Sequence, residues 1–239
     1  MSAEGAREVP TAAAGRLAAL VAIWPTLVAA LAFRYASYAA MMAMALWAEF
    51  RPAPTLPDLV LSHLPYVEWV DRANYLVWLA VYLPLAAVLL VSEPRRWVRY
   101  MVTGGLVSVA RGLTIAMTGL GAPRPRQLPA GLDLQSYGAA LLELLSPLGV
   151  FRRRAIALYL TQDLFFSGHA ATTFLLFLYF RDRPRLRWLA FGGHLAVVAS
   201  VLLSHLHYAI DVVGAWAVTF ALYALREGWP APRAARRGA

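Results

Sequence analysis

The chain has 239 residues, of which 60% are hydrophobic and 15% charged, and its formal net charge of +9 comes from arginine because no lysine is present. A soluble domain is about half apolar and a quarter charged. The composition therefore indicates a polytopic membrane protein. The arginines lie in short clusters between apolar runs, which is typical of loops beside lipid headgroups and argues against a nucleic-acid partner. The absence of cysteine excludes disulfides and thiolate chemistry.

Six apolar runs, each about 17 to 22 residues long, match a hydrocarbon core about 30 Å thick. We therefore predict an all-α membrane domain of six transmembrane helices over residues 25–228. Residues 1–24 are predicted to be a cytoplasmic tail with an interfacial run, and residues 229–239 a basic cytoplasmic tail. In chain order the predicted spans are residues 26–47, 75–91, 101–120, 164–180, 188–203 and 208–225.

The connecting segments are predicted from their polar and proline content. Residues 49–72 are rich in proline and acidic residues, which favours an exposed loop with a short helix. Residues 121–162 form a second long connection, with an amphipathic stretch at 141–150. Arg34 lies inside the first span, and we expect its side chain to reach toward the membrane interface.

Arginine content predicts the orientation. One side receives both termini and the loops 93–100 and 181–187, with thirteen arginines, whereas the other side receives seven. The cytoplasmic side carries the excess of basic residues in membrane proteins. Both termini are therefore predicted to be cytoplasmic, although Arg152 to Arg154 run against the rule.

Two polar segments lie at the predicted non-cytoplasmic ends of the fourth and sixth spans. Asp163 and Ser167-Gly168-His169 form the first, and His207 to Asp211 the second. His207 and Asp211 fall one helical turn apart, so the carboxylate can hold one ring nitrogen and leave the other free as a base or acid. Since polar residues are costly in lipid, we expect one shared site, facing the exoplasmic side.

The chemistry of these residues favours phosphoryl transfer. Ser167 and Gly168 at a helix start offer free N–H groups to a phosphate. Arg111 in the third span is expected to neutralise phosphate charge. Two histidines, one with a carboxylate partner, fit transfer through a phosphohistidine.

The other histidines have simpler interpretations. His63 and His194 are not part of a polar motif in the sequence and are expected to be structural. His205 neighbours the site but lacks a carboxylate at helical spacing, so its role stays open. A metal centre is disfavoured because no Glu or Cys cluster completes a ligand set around His205, His207 and Asp211.

Four motifs, in matching order over roughly residues 25 to 228, resemble those of the sphingomyelin synthase family, a branch of the type-2 phosphatidic acid phosphatase superfamily. The lysine-free composition, which suggests GC-rich coding, indicates a bacterial member. The motifs are Leu56-Pro57-Asp58; Arg95-Arg96 with Arg111-Gly112-Leu113-Thr114; Asp163-x-x-x-Ser167-Gly168-His169; and His207-Tyr208-Ala209-Ile210-Asp211-Val212.

The resemblance implies a six-helix membrane enzyme that moves a phospho-headgroup, phosphocholine or phosphoethanolamine, from a glycerophospholipid to ceramide or a similar lipid alcohol and releases diacylglycerol. It implies no cofactor, and oligomerisation is left open. His169, His207 and Asp211 take the catalytic positions. The wider superfamily uses the carboxylate-paired histidine as nucleophile, which favours His207, with His169 as the acid. Further candidates are Asp163 to orient His169, Glu143 to assist the acceptor hydroxyl, and Tyr208 to contact the headgroup.

Two other functions remain open from the sequence. The same histidines and aspartate could serve a lipid phosphate phosphatase or a phospholipase C, with water as the acceptor. A membrane protein without enzymatic activity, such as a lipid transporter, would not need His169 or His207.

Overall fold

The computed structural model describes residues 20–49, 51–124, 134–146, 160 and 162–228, and this part of the chain is helical without strands. Five helices are long and apolar enough to cross a membrane, which agrees with a multi-pass membrane protein. They are α1 (Trp24–Ala48), α3 (Glu68–Ser92), α4 (Pro94–Met117), α7 (Pro184–Leu203) and α8 (Ala209–Glu227). Three shorter helices are α2 (Leu59–His63), α5 (Leu134–Leu145) and α6 (Gly168–Tyr179).

The fourth predicted span, residues 164–180, is wrong in its extent. Helix α6 has 12 residues, about 18 Å of axis, and so is too short to cross a hydrocarbon core alone. Leu164 to Phe166 are apolar, but they form a loop in which backbone groups of Phe165 and Phe166 bond to side chains of α4 and α8. Irregular backbone at membrane depth is tolerated where protein groups satisfy it.

Helix α4 lies at the centre of the bundle, with 56% of its most apolar stretch buried, more than in any other candidate span of the described chain. Glycines on α4 let α1 pack closely along it. A Cβ atom added at Gly105 would lie 2.5 Å from the Phe33 ring, and one at Gly112 would lie 2.8 Å from Met44 Sδ. Small residues bring membrane helices close enough for extended van der Waals contact.

Ion pairs join the helices at the end of the bundle opposite the two histidine motifs. Glu93 accepts hydrogen bonds from Arg96 and Arg183, and Arg96 also bonds Asp182. The predicted third span begins too late, since α4 already starts at Pro94. Its first turns therefore carry arginines that the sequence interpretation assigned to a loop.

Arg34 does not extend freely toward the interface, and the expectation that it does is wrong. Its guanidinium donates to the Ser108 hydroxyl on α4. Gly104 makes room for this side chain, because a Cβ atom there would lie 3.0 Å from Arg34 Nε. Arg34 is therefore held between α1 and α4 within the bundle.

His194 is structural, as predicted, and it joins three helices. Trp216 Nε1 on α8 donates to His194 Nε2 at 2.8 Å, so Nδ1 carries the proton and donates to Thr173 Oγ1 on α6 at 2.9 Å. Thr173 in turn donates to the His169 carbonyl at 2.9 Å. A polar chain in the apolar interior thus links α6, α7 and α8.

Replacing Trp216 by Phe is expected to lower the free energy of unfolding in detergent by about 1 kcal/mol, because His194 Nε2 loses its donor. Trp188→Phe is the matched control, since Trp188 is 61% exposed on α7. Reversible denaturant titration followed by fluorescence would measure both variants. An equal loss in the two would contradict the prediction.

Candidate active site

The loop before α6 is held by Asp211 on α8. Asp211 Oδ1 accepts the Phe165 N–H at 3.0 Å, and the Asp211 carbonyl accepts the Ser167 N–H at 3.1 Å. The Asp211 side chain is fully buried. One aspartate therefore connects the two polar segments that the sequence identified.

The same carboxylate orients His207. Asp211 Oδ2 accepts from His207 Nδ1 at 3.1 Å and from the Tyr208 N–H at 3.0 Å. The proton of the neutral imidazole therefore lies on Nδ1, and Nε2 carries a free lone pair. This arrangement agrees with the predicted one-turn spacing, and it suits Nε2 for attack on an electrophile.

Arg111 braces the loop from the other side. Its Nε donates to the Phe166 carbonyl at 2.6 Å, and its Nη2 donates to both the carbonyl and the carboxylate of Asp163, at 2.8 and 2.7 Å. Asp163 is thus the ion-pair partner of Arg111, a role that differs from the predicted one of orienting His169. Thr114, one turn further on α4, donates to the Phe165 carbonyl at 2.7 Å.

One nitrogen of the Arg111 guanidinium meets a weak acceptor. Its Nη1 contacts Met41 Sδ at 3.4 Å, and thioether sulfur is a weak acceptor. Arg111 is 4% exposed, so this N–H group lies inside the bundle. A phosphate oxygen would be a much stronger partner than the sulfur.

The start of α6 adds further donors beside Arg111. Ser167 caps the helix by accepting the Ala170 N–H at 3.4 Å. The Gly168 and His169 amides have no acceptor within the described residues, as is usual in a first helical turn. A Cβ atom at Gly168 would lie 3.2 Å from Arg111 Nε, so glycine lets the guanidinium approach the helix start. The free amides and the helix dipole favour an anion here.

His169 lies between this helix start and an aromatic wall on α3. Its ring meets those of Trp78 and Tyr75 edge-on, with centroids 5.3 and 6.3 Å apart. Trp78 is held by a hydrogen bond of 2.8 Å from its Nε1 to Thr172 Oγ1. Ser167, two residues before His169, donates its N–H to the Asp211 carbonyl, and Gly168 lies against the Arg111 side chain, so His169 lies close to both Asp211 and Arg111.

The site lies inside the bundle, set back from the end at which α4 terminates. Arg111 precedes the last residue of α4, Met117, by six residues, which is about 9 Å of helix axis. The short helix α6 begins at this depth. The candidate site residues are therefore recessed among the helices.

Tyr208 supports the loops around the site, and this differs from the predicted headgroup contact. Its hydroxyl donates to the Gly121 carbonyl at 2.8 Å and accepts the Leu56 N–H at 3.0 Å, and its side chain is 2% exposed. Burial raises the pKa of this hydroxyl above its ordinary value. Tyr208 thereby fixes the start of α8 to two neighbouring loops.

Asp58 is a supporting residue whose role the sequence analysis did not identify. Its Oδ1 caps α2 by accepting from Val60 and Leu61, and its Oδ2 accepts the Ala209 N–H at 2.6 Å. Asp58 therefore satisfies the first turns of α2 and α8 together and braces the segment that carries His207. The Leu56-Pro57-Asp58 motif marked this aspartate in the sequence, but the sequence alone did not show which groups it bonds.

Two other predicted residues lie apart from these contacts. Glu143 lies on α5, which packs on α1 through Leu144, and in the described chain it makes no hydrogen bond with the site residues. His205, whose role was open, bonds the Leu64 carbonyl at 3.1 Å and packs edge-on against Tyr66, so it holds the loop between α2 and α3.

Residues 162–227 match the family model described as PAP2 superfamily C-terminal. This region contains α6, α7 and α8 with both histidine motifs. No curated protein matches the chain. The family match supports assignment to the type-2 phosphatidic acid phosphatase superfamily, whose members are phosphatases and phosphotransferases of lipid phosphates.

Proposed function

We propose that the protein is a membrane phosphotransferase that moves a phospho-headgroup from a glycerophospholipid to ceramide or a similar lipid alcohol and releases diacylglycerol. The observation that carries the proposal is the Asp211 network, which orients His207 and holds the loop before His169. Arg111 and the amides at the start of α6 supply donors for the phosphate beside these two histidines.

In the first half-reaction, His207 Nε2 attacks phosphorus and the bond from phosphorus to the diacylglycerol oxygen breaks. The negative charge of the bound phosphate favours the protonated form of His169, which gives its proton to that oxygen, so that diacylglycerol leaves as a neutral alcohol. Asp211 stabilises the positive charge that develops on His207, because its carboxylate stays ionised and accepts the hydrogen bond from Nδ1. The headgroup phosphate remains bound to His207 Nε2.

In the second half-reaction, the hydroxyl of the acceptor lipid attacks phosphorus. His169, now without its proton, accepts the hydroxyl proton as the bond from phosphorus to His207 breaks. The enzyme returns to its starting protonation state. No cofactor is needed.

The surroundings of the site favour a lipid alcohol over water as the acceptor. The site is recessed by about 9 Å, and the rings of Tyr75 and Trp78 lie against His169. An apolar setting limits water near the phosphohistidine and so limits hydrolysis. We further propose that the site faces the exoplasmic side, with both termini in the cytoplasm.

The test is an assay of the purified protein in liposomes with phosphatidylcholine or phosphatidylethanolamine, labelled in the headgroup phosphate, and ceramide. We expect label in a phosphorylated ceramide product and an equal amount of diacylglycerol. His63→Ala is the matched control, because His63 is an exposed histidine at the end of α2. Its activity should equal that of the wild type.

Other products would contradict transfer and identify the alternatives. Diacylglycerol with only a water-soluble phospho-headgroup would indicate a phospholipase C. Inorganic phosphate released from phosphatidic acid, without transfer, would indicate a lipid phosphatase. No turnover of any lipid would indicate a non-enzymatic membrane protein.

A further inference from the structure

Arg34 is a charged residue at membrane depth for which the mechanism above has no use. It lies near the middle of α1, ten residues after Trp24 and fourteen before Ala48. Its guanidinium bonds the neutral hydroxyl of Ser108, and within the described ranges it has no carboxylate partner. Such a charge is expensive in lipid, and arginines retained at this depth commonly mark a ligand or substrate path.

One face of α1 connects Arg34 with the candidate active site. Tyr38 and Met41 follow Arg34 by one and two turns on that face of the helix. Met41 Sδ contacts Arg111 Nη1 at 3.4 Å. The face of α1 that carries Arg34 and Tyr38 thus leads to Arg111 in the candidate site.

The difference in depth between Arg34 and Arg111 is similar to the separation of the ester carbonyls from the phosphate in a phospholipid. Arg34 bonds Ser108, which precedes Arg111 by three residues, or about 4.5 Å along α4 toward the bilayer centre. In a glycerophospholipid the ester carbonyls lie a few bonds from the phosphate, toward the acyl chains. A phosphate at Arg111 therefore places these carbonyls near the level of Arg34.

We propose that Arg34, with Tyr38, forms a subsite that binds the ester carbonyl oxygens of the donor glycerophospholipid while its phosphate lies at Arg111. This inference rests on the proposed function, of which it names a specificity determinant. The guanidinium donates to a carbonyl oxygen, which gives this charged donor a second acceptor beside the Ser108 hydroxyl. The subsite distinguishes a diacyl donor from a dialkyl ether donor, which lacks the carbonyls.

The experiment compares diacyl and dialkyl phosphatidylcholine. Binding is measured by native mass spectrometry on full-length protein carrying His207→Ala, so that no turnover occurs, and turnover is measured separately on protein with His207 intact. We expect Arg34-containing protein to prefer the diacyl lipid by at least about 10-fold, since a hydrogen bond from a charged donor is lost with the ether. Arg34→Gln should bring the preference below about 3-fold.

Two further variants keep the test decisive. Gly104→Ala leaves Arg34 in the chain but places a Cβ atom 3.0 Å from its Nε, so it should also weaken the preference. Arg72→Gln is the control, because the Arg72 side chain is 75% exposed in a surface pair with Glu68. It should keep the full preference.

The outcomes separate this inference from the proposed function. Equal binding of the two lipids to Arg34-containing protein, or a preference that survives Arg34→Gln, would overturn the subsite whether or not transfer occurs. A preference that disappears in Arg34→Gln would support the subsite even if no lipid is turned over. In that case the transferase proposal alone would fail.

Discussion

Replacing His207 by Ala is expected to reduce lipid transfer at least about 10⁴-fold, because the chain then lacks the nitrogen that we propose attacks phosphorus. His169→Ala should also be severely impaired, since both half-reactions need its proton transfer. The two variants differ in the step they block. Transfer assays with labelled phospholipid would measure the overall loss in each.

A donor with a good leaving group tells the two histidines apart. With p-nitrophenyl phosphocholine the first half-reaction needs no acid, so His169→Ala should form p-nitrophenol and accumulate a labelled phosphohistidine. His207→Ala should form neither. If His207→Ala is labelled and His169→Ala is not, the assignment of nucleophile and acid is reversed.

Asp211→Asn is expected to lower kcat about 10⁴-fold, comparable with the loss of an orienting aspartate in a catalytic triad. The amide cannot match the charge of the carboxylate that holds the Nδ1 proton of His207 and the N–H groups of Phe165 and Tyr208. The imidazole can then adopt the wrong tautomer, and its developing charge is no longer stabilised. Transfer assays at saturating donor would measure the change.

Asp182→Asn is the matched control for this substitution. Asp182 lies at the opposite end of the bundle, and its side chain is 62% exposed in a pair with Arg96. Its transfer rate should stay close to that of the wild type. A rate for Asp211→Asn above a tenth of the wild-type value, in protein that elutes as a folded species, would contradict the proposed role of Asp211.

The sequence by itself determined that this is a multi-pass helical membrane protein and which residues belong together. A helix satisfies all of its backbone hydrogen bonds within one segment, as an apolar run in lipid requires. Five of the predicted spans are confirmed as helices. The one-turn spacing of His207 and Asp211 also predicted their hydrogen bond correctly. These features are local, and local spacing is what a sequence displays.

Only the tertiary structure decided which partners the remaining polar groups have. Hydropathy assigned Leu164 to Phe166 to a span, but Asp211, Arg111 and Thr114 bond that backbone and hold it as a loop. These partners lie 46 to 55 residues away in the chain. Helical periodicity carries no information at such separations.

The same reason explains the residues whose roles changed. Asp163 pairs with Arg111 on α4, and the Tyr208 hydroxyl bonds loops that precede it by 87 and 152 residues. A side chain's donors and acceptors can be listed from its type, but the groups that satisfy them depend on how the helices pack. The sequence therefore named the two histidines as candidates, and the packing of α4, α6 and α8 decided how they are held.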